Sequence, residues 1–232
     1  MKLLTKGNPK LMKGEKMGYL SFVLHLAPSD VSGYNTCPMA SAGCRSACLN
    51  TAGRGGLFKL GTTTNTIQQA RIRKTRQYFE DRGTFLATLV KDIKKGIAQA
   101  NKLGMTPAFR LNGTSDIPWE TVEVDGYANL MDMFPTVQFY DYTKRENRRN
   151  LPSNYYLVMS RSETNEAVCF SHTQPYNVAV VFKGKLPETY NGRTVVNGDE
   201  HDLIFLQPSN VVIGLTAKGK AKKDASGFTV EG

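Results

Sequence analysis

Three of the four cysteines, Cys37, Cys44 and Cys48, fall within twelve residues, and the fourth, Cys169, stands alone far downstream. Thiolates are soft ligands, so a local trio points to zinc or to an iron–sulfur centre. Zinc sites are usually built from paired knuckles two to four residues apart and closed by a fourth ligand. Here the gaps are six and three residues, and no histidine lies nearby to complete the set. A cubane cluster takes three or four thiolates from a loop that wraps it, and the stretch 28–56 is rich in Gly, Ser and Ala, which lets the backbone approach closely. The spacing therefore favours a [4Fe-4S] cluster over zinc. Three thiolates leave one iron open to a small-molecule ligand, whereas a fourth from Cys169 would close the cube. Cys169 sits in the apolar run AVCFSH, a setting for a core residue as well as for a ligand, with His172 three residues on.

A cluster loop must be carried by regular elements, and the apolar runs supply them. Tyr19 to Leu26, Ala108 to Leu111, Val137 to Tyr140, Tyr155 to Met159, Val178 to Phe182 and Val211 to Leu215 read as strands that alternate with helical or loop segments. That alternation is the signal for βα units and a mainly parallel sheet. The run IQQARIRKTRQYFEDR reads as a helix capped by Thr62, Thr63, Thr64 or Asn65 and ended at Gly83. A second helix starts with Thr84 as its cap, carries the stripe Leu86, Leu89, Val90, Ile93, Ile97 and Ala100, and stops at Gly104. Shorter helices are expected at Tyr127 to Phe134 and Glu163 to Phe170. A hairpin is expected from Arg193 to Leu206, turning at Asn197-Gly198.

In parallel α/β folds ligands bind beyond the carboxyl ends of the strands. The cysteine loop follows the first strand, and the later strand ends are polar: Arg110, Asn112 and Asp116, then Tyr142, then Arg161, then Lys183. An Arg and an Asp at one strand end suit the carboxylate and ammonium of an amino-acid group. The same Asn-Gly and Ser-Asp pairs also serve as ordinary turn chemistry. His25 alternates within the first strand as a packed histidine, and the DEHD run at 199–202 reads as a solvated turn.

The chain has 232 residues and a net charge of +10, enough length for one domain with a sizeable core. The excess is concentrated at 50–111, and together with the lysines of AKGKAKKD it offers a basic face that admits nucleic acid as a partner. No apolar run reaches membrane-spanning length and no signal-peptide core follows the N-terminus, so a cytosolic protein without a membrane partner is expected.

Two resemblances follow from these residues. A strand, a three-cysteine loop, a helix and further βα units resemble the radical S-adenosylmethionine superfamily, although that superfamily spaces its cysteines by three and two residues. The resemblance implies an incomplete, TIM-like βα barrel and S-adenosylmethionine bound at the open iron. More closely, CPMASAGCRSAC, RLNGTSDIPWE, FYDYTK and GDEHDLIFLQP resemble the phage "gene product 88" family over most of the chain, which implies a viral protein. The composite expectation is a single α/β domain over 1–232 whose cluster on Cys37, Cys44 and Cys48 performs redox or radical chemistry with an electron donor. Arg110, Asn112, Asp116, Tyr142, Arg161 and Lys183 would then face the ligand. The competing expectation is a non-enzymatic module, stabilised by an iron–sulfur or zinc centre, that binds nucleic acid or a host protein.

Overall fold

The structure, a computed structural model, describes residues 1–6, 9–57, 65–173 and 175–232. Strand β1 (Leu4–Thr5) and helix α1 (Pro9–Glu15) lead into β2 (Tyr19–Leu24). The cysteine loop follows, with the short helix α2 (Ala42–Ser46), and then α3 (Thr66–Glu80) and α4 (Arg82–Lys102). Strand β3 (Thr106–Arg110), α5 (Leu130–Met133), β4 (Gln138–Thr143), β5 (Tyr155–Ser160), α6 (Glu166–Cys169) and β6 (Asn177–Lys183) complete the winding. The remainder comprises β7 (Thr189–Tyr190), β8 (Arg193–Asn197), β9 (Val212–Thr216) and β10 (Val230–Glu231).

These strands form one sheet in the order β1-β2-β3-β4-β5-β6-β9-β8-β7, with β10 paired to β6. Pairing is parallel from β2 through β8, and only the terminal pairs β1 with β2 and β7 with β8 are antiparallel. All six strands expected from the sequence are present. Five of them, β2 to β6, lie side by side in chain order, the simplest right-handed way to wind βα units. The sheet is open, with β1 and β7 at its two edges.

Because side chains alternate across a strand, adjacent residues assign the two faces. Phe22, Phe109, Phe139 and Leu157 join Tyr78, Phe85, Leu89 and Ile93 in a single core, so α3 and α4 cover this outer face. The neighbouring Ala108, Tyr140, Val158, Ala179 and Ile213 line the inner face, closed by Ile204 and Val211. Phe22 and Phe109 stack with ring centroids 5.2 Å apart. Gly96 lets α4 sit directly on that pair, since a Cβ there would lie 2.9 Å from Phe109 Cζ and 3.1 Å from Phe22 Cε2.

Several boundaries differ from the sequence reading. Asn65 caps α3 by accepting from the Gln68 amide, while Thr62, Thr63 and Thr64 lie outside the described residues. The cap of α4 is Asp81 rather than Thr84, and its carboxylate accepts from the Thr84 amide at 3.3 Å. A carboxylate at the helix start also meets the positive end of the helix dipole, so Gly83 falls inside the first turn instead of breaking the chain. The hairpin turns at Asn191-Gly192, where φ is 46° and 76°, not at Asn197-Gly198. Two positive φ values in succession are what a two-residue turn between twisted strands requires.

Replacing Gly96 with Val forces a branched side chain into two buried rings. The expected loss is about 1–3 kcal/mol in chemical denaturation, the usual cost of overpacking. The m-value should stay constant.

Candidate functional site

A cavity of about 360 Å³ opens at the carboxyl edge of the sheet on its inner face. Cys37, Cys44 and Cys48 all line it, together with Arg110 and Asn112 beyond β3, Tyr142 and Lys144 of the β4 edge, and Ser160 at the end of β5. The thiols and the polar strand ends therefore share one space.

The cysteine loop is held from several sides. Thr36 donates to the Ala27 carbonyl at 2.6 Å, and the Asp116 amide donates to the Thr36 carbonyl at 2.8 Å, which sets Cys37 over the β3 edge. Ser41 caps α2 by accepting from the Cys44 amide at 3.1 Å. Glu163 reaches over from the β5–α6 connection, and its carboxylate accepts from Ser41 Oγ at 2.8 Å and the Gly43 amide at 2.7 Å. A Cβ on Gly43 would lie 2.7 Å from Glu163 Oε1 and 2.8 Å from Phe228 Cβ, so glycine is what permits this docking. On the far side Arg71 of α3 donates to the Asn50 carbonyl at 3.3 Å and to its side-chain oxygen at 2.6 Å.

Burial raises the Cys37 thiol pKa above its ordinary value, and the neighbouring Asp116 and Cys44 raise it further against hydrogen bonds from Ser29 and Thr36. Burial likewise pushes Cys48 up to about 11, with Cys44 and Cys37 adding to the rise and Arg71 opposing it. The three thiols thus act on one another electrostatically. The Asn50 amide donates to Cys48 Sγ at 3.5 Å. Among the described residues, no three His, Cys, Asp or Glu side chains come close enough to enclose a single metal ion. Cys169 is elsewhere: it is fully buried with Met159, Val178, Val180 and Phe182 on the outer face, and burial pushes its thiol to about 12. His172 is exposed and lies outside the cavity lining.

The polar strand ends divide into two groups. Asn112 lines the cavity and its side chain builds the turn, donating to the Ile117 carbonyl at 2.9 Å and accepting from Ser115, the Ile117 amide and Trp119. Asp116 accepts from Thr143 Oγ1 at 2.8 Å and the Lys144 amide at 2.9 Å, tying β3 to β4. Arg110 and Tyr142 stack, with the guanidinium carbon 4.6 Å from the ring centroid. Arg161 and Lys183 do not line the cavity. Arg161 pairs with Glu166 and donates to the Gly227 and Phe228 carbonyls, fixing the segment that backs the cysteine loop, and Lys183 pairs with Glu231 at 3.3 Å.

The sequence reading missed the centre of the inner face. Asp202, read as part of a solvated turn, is 2% exposed and accepts from Arg110 at 3.1 and 3.3 Å and from Tyr140 at 3.1 Å, with Lys10 at 3.4 Å. Although burial opposes its charge, Arg110 and Lys10 hold its carboxyl below the usual carboxylate range. His25 also lines the cavity, and burial, with Arg71 and Arg110 close by, pushes it down to about 3, so it is neutral. The basic face expected on α3 is largely consumed within the fold: besides Arg71, Lys74 donates to the Leu3 carbonyl at 2.6 Å and Arg76 to the Ser32 carbonyl at 3.2 Å.

An open, mostly parallel α/β sheet with a thiol-lined cavity at its carboxyl edge defines the class of protein. The chain belongs to the Gene product 88 family of phage proteins, whose sequence model matches residues 2–232. No curated protein and no solved structure matches it. Among the described residues, no helix is long and apolar enough to cross a membrane.

Two outcomes follow from this geometry. Asp202→Asn leaves Arg110 and Lys10 without a buried counter-charge and should cost about 3–5 kcal/mol, measured by urea denaturation. In metal-free protein, iodoacetamide should label Cys48 slowly at neutral pH, because only the thiolate attacks, and the rate should climb as pH approaches about 11. Mass spectrometry of the labelled peptide reads that rate, and fast labelling at pH 7 would contradict the half-buried, protonated thiol.

Proposed function

We propose that Cys37, Cys44 and Cys48 hold a [4Fe-4S] cluster, with one iron left open toward a small-molecule ligand in the cavity. The observation that carries this reading is that these three cysteines line one cavity with the strand ends while Cys169 lies on the other face of the sheet. A single zinc ion needs its ligands about 2.3 Å away in a tight tetrahedron, and the described residues offer no such group. A cube takes each thiolate at a separate iron, which suits thiols that share a cavity without converging on one point.

Charge supports the same reading. Arg71 interacts with Cys48 and finds only oxygen acceptors of Asn50, and Lys144 donates to Ser160 Oγ at 2.7 Å over the Phe228 ring. Among the described residues these two cations have no carboxylate within salt-bridge distance, so they would offset the negative charge of bound thiolates. Because burial favours the protonated form of Cys37 and Cys48, loading the centre releases protons and tightens as pH rises. The amide of Asn50 donates to Cys48 Sγ and tunes its donor strength, while Thr36 Oγ1, its proton given to the Ala27 carbonyl, lies 3.7 Å from Cys37 Sγ as an acceptor for the free thiol.

When bound, such a cluster supplies one-electron chemistry and an open coordination position. The protein's own part is to seal the thiols from bulk water, balance their charge and set the ligand against the strand ends. Radical chemistry with S-adenosylmethionine and an external electron donor is the specific form we propose, on an incomplete barrel wound as β2 to β6. The competing nucleic-acid reading is weakened by the internal use of Arg71, Lys74 and Arg76.

Anaerobic reconstitution with iron and sulfide should give a brown protein with equal iron and acid-labile sulfide. Serine at Cys37, Cys44 or Cys48 should abolish it, and Cys169→Ser should leave cluster yield and spectrum unchanged. Release of 5′-deoxyadenosine by the reduced protein would support radical chemistry. A colourless protein that retains one zinc, or loss of the cluster in Cys169→Ser with the fold intact, would overturn the assignment.

A further inference from the structure

The cavity has a second pole on the inner face of the sheet, and its hydrogen bonding is incomplete. Among the described residues, Tyr142 Oη and Arg110 Nε are buried and have no hydrogen-bond partner. Leaving such groups unpaired costs free energy, so an orphaned pair in a cavity wall signals a ligand that completes them. Both belong to residues that line the cavity, and they are stacked on each other, which fixes their spacing.

The chemistry of the missing partner follows from what is already satisfied. Asp202 has its oxygens occupied by Arg110, Tyr140 and Lys10, so it does not await a cationic ligand. Asp199 is likewise engaged by Lys218 at 2.6 Å and the Thr216 amide at 2.9 Å. Arg71 Nε is also unpaired but belongs to the thiol pole, and at this pole a guanidinium N–H and a phenol O–H are left that together call for an acceptor. Among the described residues five cationic side chains line the cavity, Lys10, Arg71, Arg110, Lys144 and Lys218, against the carboxylates of Asp116, Asp199 and Asp202. Three thiolates on a doubly positive cube bring one net negative charge, so one positive charge is left uncompensated even with the centre loaded.

We propose that this pole binds the carboxylate of a small organic acid, with Tyr142 Oη and Arg110 Nε each donating to it. A singly charged carboxylate matches the residual charge, whereas a phosphate monoester carries about −1.5 to −2 at neutral pH. The guanidinium is held in place by Asp202 and the Tyr142 ring, so little side-chain freedom is lost on binding. His25 lines the same cavity and is held neutral by burial and the nearby Arg71 and Arg110, so it adds no charge to this pole. The proposal rests on reading the cavity as a ligand site but does not require the cluster.

The test uses the full chain, metal-free and reconstituted, with 4-fluorobenzoate and monofluorophosphate as probes followed by fluorine NMR. Saturable broadening of 4-fluorobenzoate is expected in both forms, and in the reconstituted form it should exceed that of monofluorophosphate. The triple serine variant of Cys37, Cys44 and Cys48 should retain it, which distinguishes failure of the cluster assignment from failure of this one. Tyr142→Phe should weaken binding about tenfold, the loss of one hydrogen bond to a charged group, while leaving Tm unchanged or raised because an unpaired buried hydroxyl is gone. No saturable binding, a preference for monofluorophosphate in the reconstituted protein, or equal affinity in Tyr142→Phe would overturn the proposal. A lowered Tm in that variant would instead show the hydroxyl to be structural and would overturn it too.

Discussion

Asp202 is the interaction on which the inner face of the sheet depends. Its carboxylate gathers Arg110 from β3, Tyr140 from β4 and Lys10 from α1, joining elements that are distant in sequence. A charge buried this deeply is tolerated only when paired and hydrogen-bonded on every side. The pairing also presents Arg110: with its terminal nitrogen engaged, the guanidinium lies flat over Tyr142 instead of sweeping through the cavity. The shape of the pocket wall is thus a by-product of neutralising one carboxylate.

The cysteine loop is positioned by a separate set of contacts, and these explain why residues remote from the thiols still matter to them. Arg161 holds the carbonyls of Gly227 and Phe228, Phe228 packs against Gly43, and Glu163 receives the amide of that same glycine. Arg161 thus acts two contacts away from the cavity, as a positioning residue for the loop. Asn112 works similarly on the opposite side, its side chain holding the turn that delivers Ser115 and Asp116 and reaching Asp141 of β4 as well.

Much of this architecture was legible in the sequence, for physical reasons that also mark where legibility ended. Strands β2 to β6 and β9 are apolar runs whose burial on both faces leaves little ambiguity, and the cysteine trio stood out because thiols rarely cluster without a shared task. Asp202 was not legible. In DEHD it has the look of a turn, and its burial depends on Arg110 and Lys10 arriving from 92 and 192 residues away in the chain. Arg71 was misplaced for the opposite reason: on a cationic helix a single inward arginine resembles its solvated neighbours. The hairpin shows a third limit, since Asn191-Gly192 and Asn197-Gly198 are equally good turn formers and only the pairing of β8 with β9 decides between them.

The clamp formed by residues 226–228 has a consequence for biogenesis. The thiol-bearing loop leaves the ribosome long before Phe228 and the glycine ahead of it, so during synthesis the three cysteines have no lid of their own and remain open to solvent, to oxidants and to any carrier that delivers metal. The loop closes only once Gly43 can seat against Phe228 and Glu163, so access to the thiols while the chain is being made differs from access in the finished fold.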